Sequence, residues 1–244
     1  LNQSLFESPY QECLSFQLEK NERCFIVGDI HGHFDKLLSG IKENGITDND
    51  ILICNGDMIN RNLDTPKVLD FLLTKSNVIL VCGNHELSFL DIMNHIAMNG
   101  LNYKKAREDI IILNQFVTEM GGAWTKQLSL VKLFEYASLL SSKLVSSVEI
   151  DVVLTGKKIG IAHSGMYNYD WDYKDNVEYN SWSLEQYNDI LQKRHKKIKG
   201  VDYAIFGHVP VGDVLKSNNS IYIDTGSFNG YRNKLTFLNL NDLK

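Results

Sequence analysis

Asp29 and His31 stand two positions apart where the apolar run Cys24-Phe25-Ile26-Val27 gives way to Gly28, and Gly32 follows at once. In extended chain such residues point to the same side, so both can reach one divalent cation. An Asp beside Gly is also an ordinary turn former, and this pair alone says little. The weight comes from recurrence. Asp57 follows Gly56, Asn84 and His85 follow Gly83, His163 ends the run 158–162, and His208 follows Gly207. Turn chemistry does not call for imidazoles at four separate run ends. Asp29, Asp57 and Asn84 with His31, His163 and His208, and His85 beside them, suit two borderline ions such as Mn2+, Fe2+ or Zn2+; Ca2+ and Mg2+ favour oxygen-only sets.

These residues need elements that bring them together. The runs 24–27, 51–54 and 78–82 are short, apolar and rich in β-branched residues, which predicts buried strands. Phe34, Leu37, Leu38 and Ile41 recur at helical spacing, as do Val68, Leu69, Leu72 and Leu73 after Asp64 and Pro66. Three successive βα units place three loops along one sheet edge, where ligands bind in such sheets. Residues from about 87 to 147 read as a helical cap insertion, interrupted at Asn99-Gly100 and Gly121-Gly122. A hairpin is expected over 148–162, a polar and aromatic loop over 167–182, a helix from there to about 199, strands at 203–206 and 221–223, and a closing strand at 234–240. Residues 1–23 read as a polar lead-in, and 1–244 as a single α/β domain.

Composition narrows the classes of partner. The chain has 244 residues, is 43% hydrophobic and carries a formal charge of −5. That balance argues against nucleic acid or an anionic membrane as partner, because either needs a basic face. A phosphorylated substrate would be held by local positive charge, from metals or from arginines, of which there are Arg23, Arg61, Arg107, Arg194 and Arg232. Cys13, Cys24, Cys54 and Cys82 have no CxxC spacing and read as free thiols in a reducing compartment, which points to the cytoplasm. No stretch approaches the ~18 apolar residues of a membrane span. The sequence starts at Leu1, so a lost export signal stays open.

Gly28-Asp29-Ile30-His31-Gly32, Gly56-Asp57 with Arg61, Gly83-Asn84-His85-Glu86, His163 and Gly207-His208, in this order, resemble the calcineurin-like metallophosphoesterases, in particular their phosphoprotein-phosphatase (PPP) branch and its small bacteriophage lambda-type members. Gly121-Gly122-Ala123-Trp124, Lys199-Gly200-Val201-Asp202, Phe206-Gly207-His208-Val209-Pro210 and Tyr222-Ile223-Asp224-Thr225-Gly226 extend the likeness over residues 23–240. The resemblance implies a four-layer α/β/β/α sandwich and a hydrolase of phosphomonoesters, foremost phosphoserine and phosphothreonine in proteins, with phosphotyrosine also open. It implies two divalent ions, manganese first, with Asp29 and His31 on one, Asp57 bridging, and Asn84, His163 and His208 on the other. Such a pair can lower the pKa of a shared water enough to supply hydroxide. Arg61 would grip phosphoryl oxygens, Asn84 would also face the substrate, and His85 would protonate the departing alkoxide.

Two positions depart from that pattern. The second Asp of Gly-Asp-x-x-Asp-Arg is Asn60 here, which cannot hold His85 as imidazolium and should lower its pKa. Leu184 stands where the lambda-type pattern has a phosphate-clamping Arg, and Arg232 is the candidate substitute. The loop Tyr167-Asn168-Tyr169-Asp170-Trp171-Asp172-Tyr173 reads either as packed surface or as a groove wall favouring basic or aromatic residues around the phosphosite. His33, His95 and His195 read as structural, the last on a solvated helix face. Two further functions stay in view. One is a symmetrical dinucleoside-polyphosphate hydrolase, since diadenosine-tetraphosphate hydrolases of this branch also lack the second Asp. The other is a degenerate phosphatase that only binds phosphoproteins. Oligomeric state is not legible.

Overall fold

The computed structural model describes residues 12–99, 106–228 and 234–243. Along the chain the elements are β1 (Leu14–Leu18), β2 (Cys24–Val27), α1 (Phe34–Glu43), β3 (Ile51–Cys54), α2 (Thr65–Leu73), β4 (Val78–Val81), α3 (Asn84–Asn99), α4 (Ala106–Glu119), α5 (Leu130–Lys143), β5 (Leu144–Val145), β6 (Val148–Val152), β7 (Lys157–Ile161), α6 (Val177–Trp182), α7 (Glu185–Leu191), β8 (Tyr203–Phe206), β9 (Leu215–Ser217), β10 (Ser220–Tyr222) and β11 (Phe237–Asn239). They build two sheets, ordered β11-β2-β3-β4-β5 and β1-β6-β7-β8-β10-β9.

Strand alternation explains the layering. In β2, Cys24 and Ile26 face the second sheet while Phe25 and Val27 face helices, and every position is buried. Ile26, Ile53 and Val81 meet Ile150, Ile159, Ile161 and Ile205 between the sheets. On the outer side of the first sheet, Leu52, Cys54 and Leu80 pack with Leu37, Leu69, Leu90 and Leu140 of the helices. Outside the second sheet, Ala204, Phe206 and Tyr222 pack with Tyr169, Trp171 and Ile198. The result is the expected four-layer α/β/β/α sandwich.

Register brings the candidate ligands together. Val27 lies opposite Cys54 and Cys54 opposite Leu80, so Gly28-Asp29, Asn55-Gly56-Asp57 and Gly83-Asn84 leave the first sheet side by side. Ile161 lies opposite Ile205, so Ala162-His163 and Gly207-His208 leave the second sheet together. The Gly207 N–H donates to the His163 carbonyl at 2.7 Å, tying these two loops.

Several expectations need amendment. The lead-in contains β1, which pairs in parallel with β6 from Leu14–Val148 to Leu18–Val152 and buries Leu18 between the sheets. Its alternation, Leu14-Ser15-Phe16-Gln17-Leu18, was masked by polar surroundings. Over the expected helical insertion the described residues hold α3, α4 and α5, of which α3 and α5 cover the first sheet, and the chain returns as β5 beside β4. The helix expected to reach about 199 ends at Leu191, and Lys193 adopts φ 56, a left-handed conformation that stops helical winding. His195 therefore sits in an irregular segment, with Nδ1 3.0 Å from Ser217 Oγ, and not on a helix face. The aromatic loop divides: Tyr169 and Trp171 are core residues, while Tyr167 and Tyr173 stack edge to face with both rings exposed. The 148–162 hairpin and the closing strand appear, the latter as β11 antiparallel to β2.

Candidate metal centre

Asp57 is the hub. It is buried, and its two carboxylate oxygens serve different groups. Oδ1 lies 3.2 Å from His163 Nε2 and accepts from the His85 backbone N–H at 3.1 Å. Oδ2 lies 3.7 Å from His31 Nε2 and 3.7 Å from His85 Nε2. Two groups with ligand atoms all within 4.8 Å of one another result, His31-Asp57-His85 and Asp57-His163-His208, with Asp57 common to both. One amide atom of Asn84 lies 3.0 Å from His208 Nδ1, 3.2 Å from His163 Nε2, and 3.2 and 3.3 Å from the Asp57 oxygens. A nitrogen there donates to its neighbours, whereas an oxygen there sets lone pairs against lone pairs, which a cation reconciles.

Glu86 holds the hub in place. Its Oε2 accepts from Asp57 N (2.8 Å) and Gly83 N (3.2 Å), and its Oε1 from Met58 N (2.9 Å) and Ile59 N (3.1 Å). Gly56 has to be glycine: at φ 86 a Cβ would sit 2.4 Å from His163 Nδ1 and 2.8 Å from Gly83 Cα. His31, Asp57 and His208 also adopt positive φ, at 49, 49 and 65, so three candidate ligands hold backbone conformations that ordinary packing disfavours.

The residues present fit a divalent pair. His31 Nδ1 lies 3.1 Å from the Ile59 carbonyl and His163 Nδ1 lies 2.7 Å from the Asn55 carbonyl. Each ring thus donates through Nδ1 and points Nε2 at the centre, the nitrogen that would ligate a bound cation once free of its proton. Burial lowers His31 to about 3, and burial with the His163 charge lowers His208 to about 4, so neither supplies positive charge. Burial works to raise Asp57, but His163, by charge and hydrogen bond, holds it low, while His163 in turn is raised by Asp57 against burial. Around this pair the negative charge is poorly matched. Burial, then Asp224 and Asp57, raise Asp29; burial and Asp57 raise Glu86 to about 7; burial raises Asp224 to about 6, and its Oδ2 is buried without a hydrogen-bond partner. Bound cations would relieve that crowding.

Asp29 lies beside the two tight groups rather than within them. Both its oxygens accept from the His208 N–H, at 3.2 and 3.0 Å, which joins the loop after β2 to the loop after β8. His85 turns Nδ1 to Asn60 Nδ2 at 2.8 Å, and Asn60 Oδ1 accepts from Trp124 Nε1 at 2.7 Å. Its pKa is lowered by burial, with Arg61 and His163 adding to the effect against Asp57.

Arg61 is exposed. Its backbone N–H is fixed by the Gly121 carbonyl at 2.8 Å, and its guanidinium lies over the Phe228 ring, 4.9 Å from the centroid. The same Phe228 meets His31 edge on at 4.7 Å, and no carboxylate pairs with Arg61 among the described residues. Arg232 lies outside the described residues. Leu184 is 50% exposed, and its neighbour Ser183 donates to Ser164 Oγ, one residue after His163. Asp224 and Phe228 were not singled out from sequence. Asp224 sits in a motif already recognised; Phe228 carries no sequence signal of its own.

The calcineurin-like phosphoesterase family model matches residues 23–212. The chain is 33% identical over 207 residues to serine/threonine-protein phosphatase 2 of Salmonella typhimurium, covering 84% of this chain and 87% of that one. It is 27% identical over 234 residues to the asymmetrical bis(5'-nucleosyl)-tetraphosphatase PrpE of Bacillus subtilis, covering 86% and 88%. A crystal structure provisionally described as a diadenosine tetraphosphatase superposes with TM-score 0.63 at 18% identity, over 95% of this chain and 94% of that one, a likeness of fold.

Proposed function

This chain belongs to the calcineurin-like phosphoesterase family and is a hydrolase of phosphoric esters, and from that premise we propose that it is a metal-dependent phosphatase of phosphoproteins, acting on phosphoserine and phosphothreonine and able to accept phosphotyrosine. The observation that carries the reading is Asp57, whose two oxygens are shared between two imidazole groups. Asp29, His31 and Asp57 would hold one divalent ion and Asp57, Asn84, His163 and His208 the other, with manganese the first candidate. When bound, the pair supplies Lewis acidity to the attacking water and the phosphoryl oxygens. Glu86 keeps the Asp57 loop rigid through its four backbone N–H bonds. Arg61, steadied by Phe228 and free of carboxylates among the described residues, forks two phosphoryl oxygens. His85 serves the departing oxygen through Nε2. Four free cysteines suit a reducing compartment, so we place the protein in the cytoplasm; among the described residues no helix is long and apolar enough to cross a membrane.

A second reading, a dinucleoside-polyphosphate hydrolase, is favoured by the Bacillus subtilis relative and by Asn60. The expectation from sequence was the symmetrical type; that relative is named asymmetrical, while a relative matched over 77 residues is named symmetrical. A panel of phosphoserine, phosphothreonine and phosphotyrosine peptides with diadenosine tetraphosphate, assayed with Mn2+, separates the readings. The first predicts phosphate release from peptides at higher kcat/KM than nucleotide hydrolysis; the reverse order establishes the second.

A further inference from the structure

The hydrogen bonds behind His85 have a direction. An indole N–H only donates, so the amide atom of Asn60 facing Trp124 Nε1 at 2.7 Å is the oxygen. The amide nitrogen then faces His85 Nδ1 at 2.8 Å. An amide nitrogen cannot accept, so His85 Nδ1 must, and the ring carries its proton on Nε2. All three side chains are buried: Trp124 0%, Asn60 0% and His85 3% exposed. Trp124 is held by Phe89 and Tyr136, with ring centroids 5.3 and 6.4 Å away, and the Asn60 backbone donates to Thr65 Oγ1. Turning the amide over would set N–H against N–H at the indole, so the direction is locked.

From this chain we propose that Trp124 and Asn60 are positioning residues that make His85 a hydrogen-bond donor without a proton to give, selecting phosphomonoesters whose leaving oxygen is weakly basic, namely phenolic esters such as phosphotyrosine. The inference rests on the phosphatase reading above and reorders its substrates. In the hydrolysis of ROPO3(2−), water forms the new P–O bond, and the electron pair of the breaking P–O bond leaves on RO−. The proton lost by water reaches RO− through solvent, giving ROH and HPO4(2−). His85 Nε2–H can donate a hydrogen bond to the leaving oxygen. Giving up that proton would leave imidazolate, because Nδ1 is already filled by the Asn60 N–H. A phenol bears the developing charge far better than a serine alkoxide, so the rate should track leaving-group basicity.

The test compares wild type with Asn60→Asp, which keeps an acceptor for Trp124 and offers His85 Nδ1 a carboxylate. With Mn2+, kcat/KM over a series of substituted phenyl phosphates should fall steeply with leaving-group pKa in wild type and weakly in the variant. Asn60→Asp should raise turnover of a phosphoserine peptide by about 10²-fold while changing p-nitrophenyl phosphate by less than about threefold. Nitrogen-15 spectra of His85 should show a bare Nδ1 in wild type and a protonated Nδ1 in Asn60→Asp. Trp124→Phe, if it folds, should give a mixture of ring tautomers; if it does not fold, the Asn60 pair still decides. Equal slopes in both proteins, or a proton on Nδ1 in wild type, overturns the proposal. If neither protein hydrolyses any phosphomonoester, the phosphatase reading fails instead, and the nitrogen spectra alone decide the direction of the chain.

Discussion

Glu86 shows how much a site of this kind depends on a residue that offers nothing to substrate. Both of its oxygens are filled by backbone N–H groups from the Gly83 and Asp57 loops. Glu86→Gln puts an amide N–H against donors it cannot satisfy, so urea denaturation should register a loss of about 1–3 kcal/mol. Phosphatase activity should drop at least tenfold, because the Asp57 loop loses its anchor; an unchanged kcat would mean that the loop holds itself. The Asp-x-His and Asn-His strings were legible in sequence because a metal centre needs particular side chains at particular run ends. The tie between Asn60 and Trp124 was not, since the two are 64 positions apart and an indole reads as core. Asp224 was hidden for a related reason: its carboxylate matters through burial beside Asp29, and burial is a property of the assembled sheets.

At the level of elements, the starts of β2 and β3 are fastened by one ion pair. Arg23 Nε and Nη2 reach Asp50 Oδ1 and Oδ2 at 2.7 and 2.6 Å, and Asp50 also accepts from Thr47. The hydrogen bonds from Arg23, against burial, hold Asp50 below the usual carboxylate range. A carboxylate depressed in the folded state adds stability above its unfolded pKa, and that contribution disappears as pH falls through the folded value. Arg23→Ala should therefore lower Tm at pH 7 and leave it nearly unchanged near pH 2, followed by circular dichroism. An equal decrease at both pH values would assign the loss to packing over Phe25 instead. The strands of the first sheet that position the site were readable because β2, β3 and β4 are uninterrupted apolar runs that end in buried residues. β1 escaped notice because it is an edge strand with one mostly exposed face, and the end of α7 because Lys193 adopts a conformation that side-chain pattern does not announce.

Across the whole molecule, two sheets converge so that loops from β2, β3 and β4 meet loops from β7 and β8. Neither sheet alone assembles both candidate groups: His31, Asp57, Asn84 and His85 follow strands of the first, while His163 and His208 follow strands of the second. The α/β/β/α layering and the bridging place of Asp57 were within reach of the family resemblance, whereas the strand order and the division of the two Asp57 oxygens among His31, His85 and His163 required the geometry of both sheets. The departures Asn60 and Leu184 leave this shared centre untouched and alter its surroundings. The most direct test is hydrolysis of p-nitrophenyl phosphate by metal-stripped wild type and Asp57→Asn, with and without added Mn2+. The account predicts turnover only with the divalent ion, and a loss of at least about 10²-fold in Asp57→Asn, because both groups lose their common ligand. Metal-independent hydrolysis, or an Asp57→Asn enzyme as active as wild type, would contradict it.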